Sequence, residues 1–289
     1  TVTLPDGSTL PIGGALARVG ADGAWRWTKP MPGVVAVTPV SGGDVVVTGA
    51  LTGPTTFATT PVTSVDPLAD GTWAYVARVA PDGSFRWLRP LVSSGGVTPQ
   101  TIRVTPSGQI AVAGWWNGTM GVGTGPGMLN LGTVSSSSNM FLVLLDQSGG
   151  PVALRRLAET GGTVRIAFDA AGDLVAALTL ALPTVIGQGT GAVSIGGGSG
   201  VVLARFAPAG TVRWATRVTT PTSGYADNAW VPGIEVDASG NLVVLFTGLN
   251  GTTVNGSSGV PRTDSGALLA WFSPTGGLVD GRRIQATAA

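Results

Sequence analysis

Histidine and cysteine are both missing from the 289 residues. That removes the Ser-His-Asp triad, imidazole acid–base work, thiolate chemistry, disulfides and His- or Cys-ligated metal. Carboxylates, hydroxyls, Tyr75, Tyr225 and a single lysine, Lys29, remain. Two carboxyl groups several ångströms apart could hydrolyse a glycosidic bond. However, Asp22, Asp82, Asp146, Asp169 and Asp237 stand just before glycines at the tips of apolar runs, where short acidic side chains form turns. Asp227, Glu235 and Asp264 escape that reading, and Glu235, next to Ile234 in an apolar run, is the best placed to line a channel. The segments Asp237–Asn241 and Asp169–Asp173 superficially resemble calcium loops, yet carry too few alternating oxygen ligands for one. Lys29, beside Pro30, reads as a solvated loop residue, and Tyr75 as packing in a strand. No catalytic residue, metal ligand or cofactor is therefore expected.

Aromatic residues are the other resource. Trp115-Trp116-Asn117 stands where the neighbouring segments have Ala50-Leu51, Thr179-Leu180 and Gly248-Leu249. Adjacent residues of a strand face opposite sides, so one indole should be buried while the other can serve as a flat platform for a sugar ring or a protein. The stretch Tyr225-Ala-Asp-Asn-Ala-Trp230 gathers aromatic, amide and carboxylate groups in one loop. Trp115, Trp116, Asn117, Tyr225, Asp227 and Trp230 are thus the candidate ligand-binding residues. The Asn-Gly pairs at 117, 250 and 255 match a glycosylation pattern but read as turns.

These residues sit on a repeated unit. ALARVGADGAWRW (15–27), YVARVAPDGSFRW (75–87), FLVLLDQSGGPVALRR (141–156), VLARFAPAGTVRW (202–214) and LLAWFSPTGGLVDGRR (268–283) each read as strand, glycine turn, strand. Their turn glycines 23, 83, 149, 210 and 276 are spaced by 60, 66, 61 and 66 residues. A second hairpin recurs at 34–49, 102–114, 164–178 and 234–246, with glycines 43, 108, 172 and 240 spaced by 64 to 68. Two hairpins make four antiparallel strands, which is one blade of a β-propeller. The repeat units run approximately 1–28, 34–88, 101–156, 163–217 and 233–284, in one domain of residues 1–289. Five blades with an irregular first blade is the expected architecture; the alternative is a fragment of a larger ring. The continuously apolar second-hairpin strands should lie innermost, packed on both faces, and the Arg/Trp-bearing strands further out. The connectors 50–73, 115–139, 179–200 and 247–266 are long enough to carry structure of their own. Small extra hairpins are expected at 252–263 and 1–12. Arg26-Trp27, Arg86-Trp87 and Arg213-Trp214 recur in register, as do Arg18, Arg78 and Arg205, so stacking between them reads as scaffold and not as a ligand site.

Charged residues are only 11% of the chain, against about 25% in ordinary domains. The net charge is +1 with no basic run, which points away from nucleic acid and acidic lipid. No apolar run is long enough for a membrane helix, and the consecutive apolar residues Val45-Val46-Val47 do not suit a membrane barrel strand.

YVARVAPDGSFRW, VLARFAPAGTVRW and GIEVDASGNLVVLFTG (233–248) resemble the two halves of the secreted bacterial β-propeller repeats, and Gly224-Tyr225-Ala226-Asp227 resembles the stretch that often precedes the second half. Val143-Leu144-Leu145 and Asp280-Gly281 depart from the pattern. The resemblance implies export and a surface-exposed or extracellular life in bacteria, without implying any reaction. A non-enzymatic scaffold presenting loops to a protein or glycan is the leading expectation. A structural subunit self-associating into a surface assembly, and a carbohydrate-active enzyme using Glu235, are the alternatives.

Overall fold

The computed structural model describes residues 2–3, 9–10, 14–51, 73–123, 128–160, 162–180, 183–196, 200–219, 230–247, 253–254 and 267–284. Tyr225 and Asp227 lie outside the described residues, as does Asp264. Antiparallel strands and two single 3-10 turns make up the described secondary structure, so the chain is all-β. No helix among the described residues is long and apolar enough to cross a membrane. Two compact units account for the chain: residues 1–104, 108–136 and 142–154 form the first, and 105–107, 137–141 and 155–289 the second.

The first unit opens with β1 (Val2–Thr3) paired to β2 (Thr9–Leu10), the small N-terminal ladder expected at 1–12. The hairpin β3 (Ala15–Val19)–β4 (Trp25–Pro30) follows. Then β5 (Val34–Pro39), β6 (Val45–Leu51), β7 (Trp73–Val79) and β8 (Phe85–Ser93) pair in succession as a four-stranded meander. After them come β9 (Gly96–Val104), β10 (Ile110–Val122), β11 (Leu129–Leu145) and β12 (Pro151–Ala158), again paired in order.

In the second unit, β13 (Val164–Phe168) pairs with β14 (Leu174–Leu180). The connector that follows carries a hairpin of its own, β15 (Thr184–Ile186) and β16 (Val193–Ile195). Next, β17 (Gly200–Phe206) pairs with β14, and β18 (Val212–Thr219) with β17. The last meander is β19 (Trp230–Val236), β20 (Leu242–Thr247), β22 (Ala267–Phe272) and β23 (Leu278–Ile284); the short β21 (Thr253–Val254) joins β18 instead. The hairpin expected at 252–263 otherwise lies outside the described residues.

Burial follows the expected order only in part: most of β6, β10 and β14, from the second hairpins, is buried. β5, the first strand of its hairpin, alternates between half-buried and exposed, with Val35 and Val37 outward. The Arg-bearing third strand, expected further out, is as enclosed as the second: every residue of β17 is buried, Arg205 included. The second and third strands of a four-stranded sheet are flanked on both sides, so continuous apolar sequence does not by itself mark the most enclosed strand. In the first unit the core gathers Met31, Val47, Leu51, Tyr75, Ala77 and Val79. In the second, Leu203, Val244, Phe246, Leu268 and Phe272 are among its members. Each of the valine, leucine, methionine and phenylalanine side chains among them contributes about 1.5–3 kcal/mol on burial.

Candidate functional site

The carboxylates behave as turn formers. Asp82 accepts from Ser84 N at 2.9 Å, Asp146 from Ser148 N at 2.8 Å, and Asp237 from Ser239 N and Asn241 N, both at 2.9 Å. Side-chain donors add to this: the Ser84, Ser148 and Asn241 side chains are the largest cause holding Asp82, Asp146 and Asp237 below the ordinary carboxylate value. Asp169 and Asp173 do converge, but on Arg205, whose Nη2 binds Asp169 and whose Nε reaches Asp173 Oδ2 at 3.0 Å. Arg213 Nε adds a further ion pair to Asp173 at 2.7 Å. These two acids are neutralised pairwise and not poised across a substrate. Glu235 lies exposed on β19, opposite Val243 of β20. Among the described residues there is no group of three or more potential metal ligands.

Lysine 29 is not the solvated loop residue expected from its neighbour Pro30. It belongs to β4, half-buried, with its ammonium 4.4 Å from the Phe85 ring centroid. Phe85, on β8 of another sheet, supplies an aromatic face that the ammonium can use without giving up solvent. Tyr75 is enclosed at 1% exposure and donates to Pro32 O at 3.0 Å; burial pushes its phenol far above the ordinary value.

The Arg–Trp series is a seam between successive repeats. Trp27 Nε1 donates to Pro81 O at 2.7 Å, Trp87 Nε1 to Gln147 O at 3.0 Å, and Trp214 Nε1 to Pro274 O at 2.7 Å. Each acceptor lies two residues before the turn glycine of the next repeat. The indoles cover those glycines so closely that a Cβ at Gly83 would meet Trp27 at 3.1 Å, and one at Gly149 would meet Trp87 at 2.8 Å. In the third repeat, where no tryptophan occupies this register, Arg155 takes over: it donates to Pro208 O at 2.7 Å and lies over Gly210. Its burial draws the guanidinium below its ordinary value. The recurring arginines therefore do not stack on their own tryptophans. Arg18 donates to Pro81 O and Arg78 to Gln147 O, sharing the acceptors that the indoles use.

The candidate binding residues separate clearly. Along β10, the segment 110–117 pairs with β9, whereas 120–122 pairs with β8. Trp115, Trp116 and Asn117 sit at that switch. Trp116 is 1% exposed and donates to Gly118 O at 3.1 Å, so it belongs to the core and not to a surface platform. Trp115 and Asn117, two apart and so on one strand face, are half-buried. The Asn117 Oδ1 is enclosed without a hydrogen-bond partner. Asn117-Gly118 is not a hairpin turn here but a kink inside the strand. Gly118 has φ +70°, Ser93 Oγ donates to Asn117 O, and Ser94 Oγ accepts from Thr119 N at 2.9 Å. The serine hydroxyls replace the ladder bonds that the kink interrupts. Trp230 starts β19, opposite Thr247.

No family model matches the chain, and no curated protein matches it. Among solved structures, a protein of unknown function from Bacteroides caccae aligns over 93% of this chain and 90% of that chain, with 13% identity and a TM-score of 0.36. A likeness of that size carries no argument about function.

One described feature had no forewarning in the motifs. A pocket of about 380 Å³ opens beside Asp44, at the end of the β5–β6 turn, lined by Ser41, Gly42, Arg78, Arg86, Trp87 and Gln147. Arg78 Nε donates to Asp44 Oδ2 at 2.7 Å and its Nη1 to Gln147 Oε1 at 2.7 Å. The mostly exposed Arg86 stands 3.6 Å from the same Asp44 oxygen. The signal that could have revealed it is the unequal number of charges in equivalent turns, Val40–Asp44 against Asp169–Asp173.

Proposed function

We propose that the four-strand sheets are blades of a β-propeller of the secreted bacterial repeat type. On this reading the protein is a non-enzymatic, extracellular or cell-surface scaffold that binds a glycan or protein. The observation that carries the binding role is the neighbourhood of Trp115 and Asn117 on β10: a partly accessible indole beside a buried, unpartnered amide oxygen. A buried acceptor without a donor is rare in folded chains and calls for an explanation. Movement at the Gly118 kink would open that oxygen to a sugar hydroxyl or a peptide N–H, while the indole covers the apolar face of the same ligand. The seams support the scaffold half of the reading, because they hold successive repeats rigidly through main-chain acceptors. The carboxylates support it too, since Asp169 and Asp173 are committed to arginine.

The test is a glycan array probed with labelled wild-type protein and with Trp115→Ala, after checking that the melting temperatures agree. Glycan signals that fall by about tenfold in the variant, the loss of roughly 1.4 kcal/mol, are expected. Equal signals from the two proteins would remove Trp115 from the binding role.

A further inference from the structure

The second and fourth repeats contain the same charged cluster with different bookkeeping. In the fourth, Asp169 and Asp173 face Arg205 and Arg213, two charges of each sign. In the second, Asp44 alone faces Arg78 and Arg86. The two turns superimpose in their main-chain bonding: Val40 N donates to Asp44 O at 3.0 Å and Asp169 N to Asp173 O at 3.1 Å. Val40 therefore occupies the position of Asp169. The Nη2 that Asp169 binds in Arg205 has as its counterpart Arg78 Nη2, which reaches only Ser41 O at 3.5 Å. Arg213 grips both oxygens of Asp173, at 2.7 and 3.1 Å, whereas Arg86 stands off at 3.6 Å with its side chain 57% exposed. The cluster is short of one carboxylate, and the pocket of about 380 Å³ opens there.

We propose that this pocket binds a hydroxylated monocarboxylate, a uronic acid sugar, whose carboxylate takes the place that Asp169 fills in the fourth repeat. A net charge of +1 at the cluster matches one carboxylate better than a phosphate dianion. Arg78 Nη2 and the exposed guanidinium of Arg86 together offer donors to a carboxylate's two oxygens. Asp44 holds both arginines through Oδ2, leaving Oδ1 to accept from a ring hydroxyl. That acceptor favours a sugar acid over an aliphatic acidic side chain. The site shares no residue with Trp115 or Asn117, so its failure would leave the binding role of those residues untouched.

Titration of the whole chain with glucuronate, glucose and N-acetylglutamate, followed by calorimetry or amide NMR, tests the assignment. Glucuronate is expected to bind, N-acetylglutamate more weakly, and glucose not at all. Val40→Asp restores the carboxylate present in the fourth repeat, so it should keep or raise the melting temperature and abolish glucuronate binding. Arg86→Gln, on an exposed side chain, should weaken binding by about tenfold or more, the worth of one charged hydrogen bond. Should Val40→Asp fail to fold, Arg86→Gln carries the test alone. Equal binding of glucose, unchanged affinity in Arg86→Gln, or no glucuronate binding up to about 50 mM would overturn the proposal. Tighter binding of N-acetylglutamate would overturn the sugar assignment in favour of an acidic peptide.

Discussion

Asp82, Asp146 and Asp237 each hold a turn through hydrogen bonds that the ionised carboxylate accepts more strongly than the neutral acid. Hydrogen bonds from side chains and main chain lower all three from the ordinary 3.8. A folded value below the unfolded one adds stability that is fully present above 3.8 and is lost as pH falls through the lowered folded value. The stability these three turns contribute should therefore be constant from neutrality down to that ordinary value and decline below it. Asp237→Asn keeps the acceptor oxygen without the charge, so it should flatten the acid limb of a urea-denaturation series. An acid limb identical to wild type would show that Asp237 plays no part in it. The turn role of these acids was legible in the sequence, because a short acidic side chain before a glycine has few other uses. The fate of Lys29 was not, since its aromatic partner Phe85 lies 56 positions away in another sheet, and only tertiary packing brings the two together.

At the scale of strands and turns, the seam makes an internal control possible. Gly23 and Gly149 have nearly the same backbone, φ +77° and +81°, so replacing either by alanine carries the same left-handed penalty of about 1–2 kcal/mol. They differ in what lies above them: nothing within 4 Å of a Cβ at Gly23, and the Trp87 ring at 2.8 Å from one at Gly149. Gly149→Ala should therefore destabilise by a further ~1–3 kcal/mol, the usual cost of overpacking, and a Trp87→Ala background should erase that excess. Equal losses at the two glycines, measured by urea denaturation, would mean that the indole does not bear on the turn. The register of the repeat, and hence the strand order within each meander, could be read from the glycine spacing, because turn chemistry is local; the β8–β10 and β12–β15 pairings that extend the sheet beyond one meander could not. Which side of a strand the indole would reach could not. The Trp–Gly contact joins residues 56 to 62 positions apart, and stacking within the hairpin was the nearer alternative.

Over the whole molecule, the scarcity of charge and its placement have one physical consequence. Only 31 of 289 residues carry a formal charge and their balance is +1. Much of the basic complement is already committed: Arg78 and Arg205 to buried or partly buried carboxylates, Arg18 and Arg155 to turn carbonyls. Binding to a nucleic-acid backbone draws on several uncommitted cations arranged along a phosphate path, and its affinity falls steeply with salt as counterions are released. The exposed arginines Arg86 and Arg213 belong to different repeats, each drawn toward its own aspartate, and provide no such path. Fluorescence anisotropy with a labelled single-stranded and a duplex oligonucleotide, at about 50 and 200 mM salt, should show no saturable binding at micromolar protein. A salt-dependent affinity with a slope of several units would instead point to a basic surface built from other exposed arginines, such as Arg26, Arg282 and Arg283. The same balance makes Val40→Asp informative at this scale. One added carboxylate shifts the formal charge from +1 to 0, too small a change to alter general electrostatics, so any ligand it displaces must have depended on the charge of that one pocket.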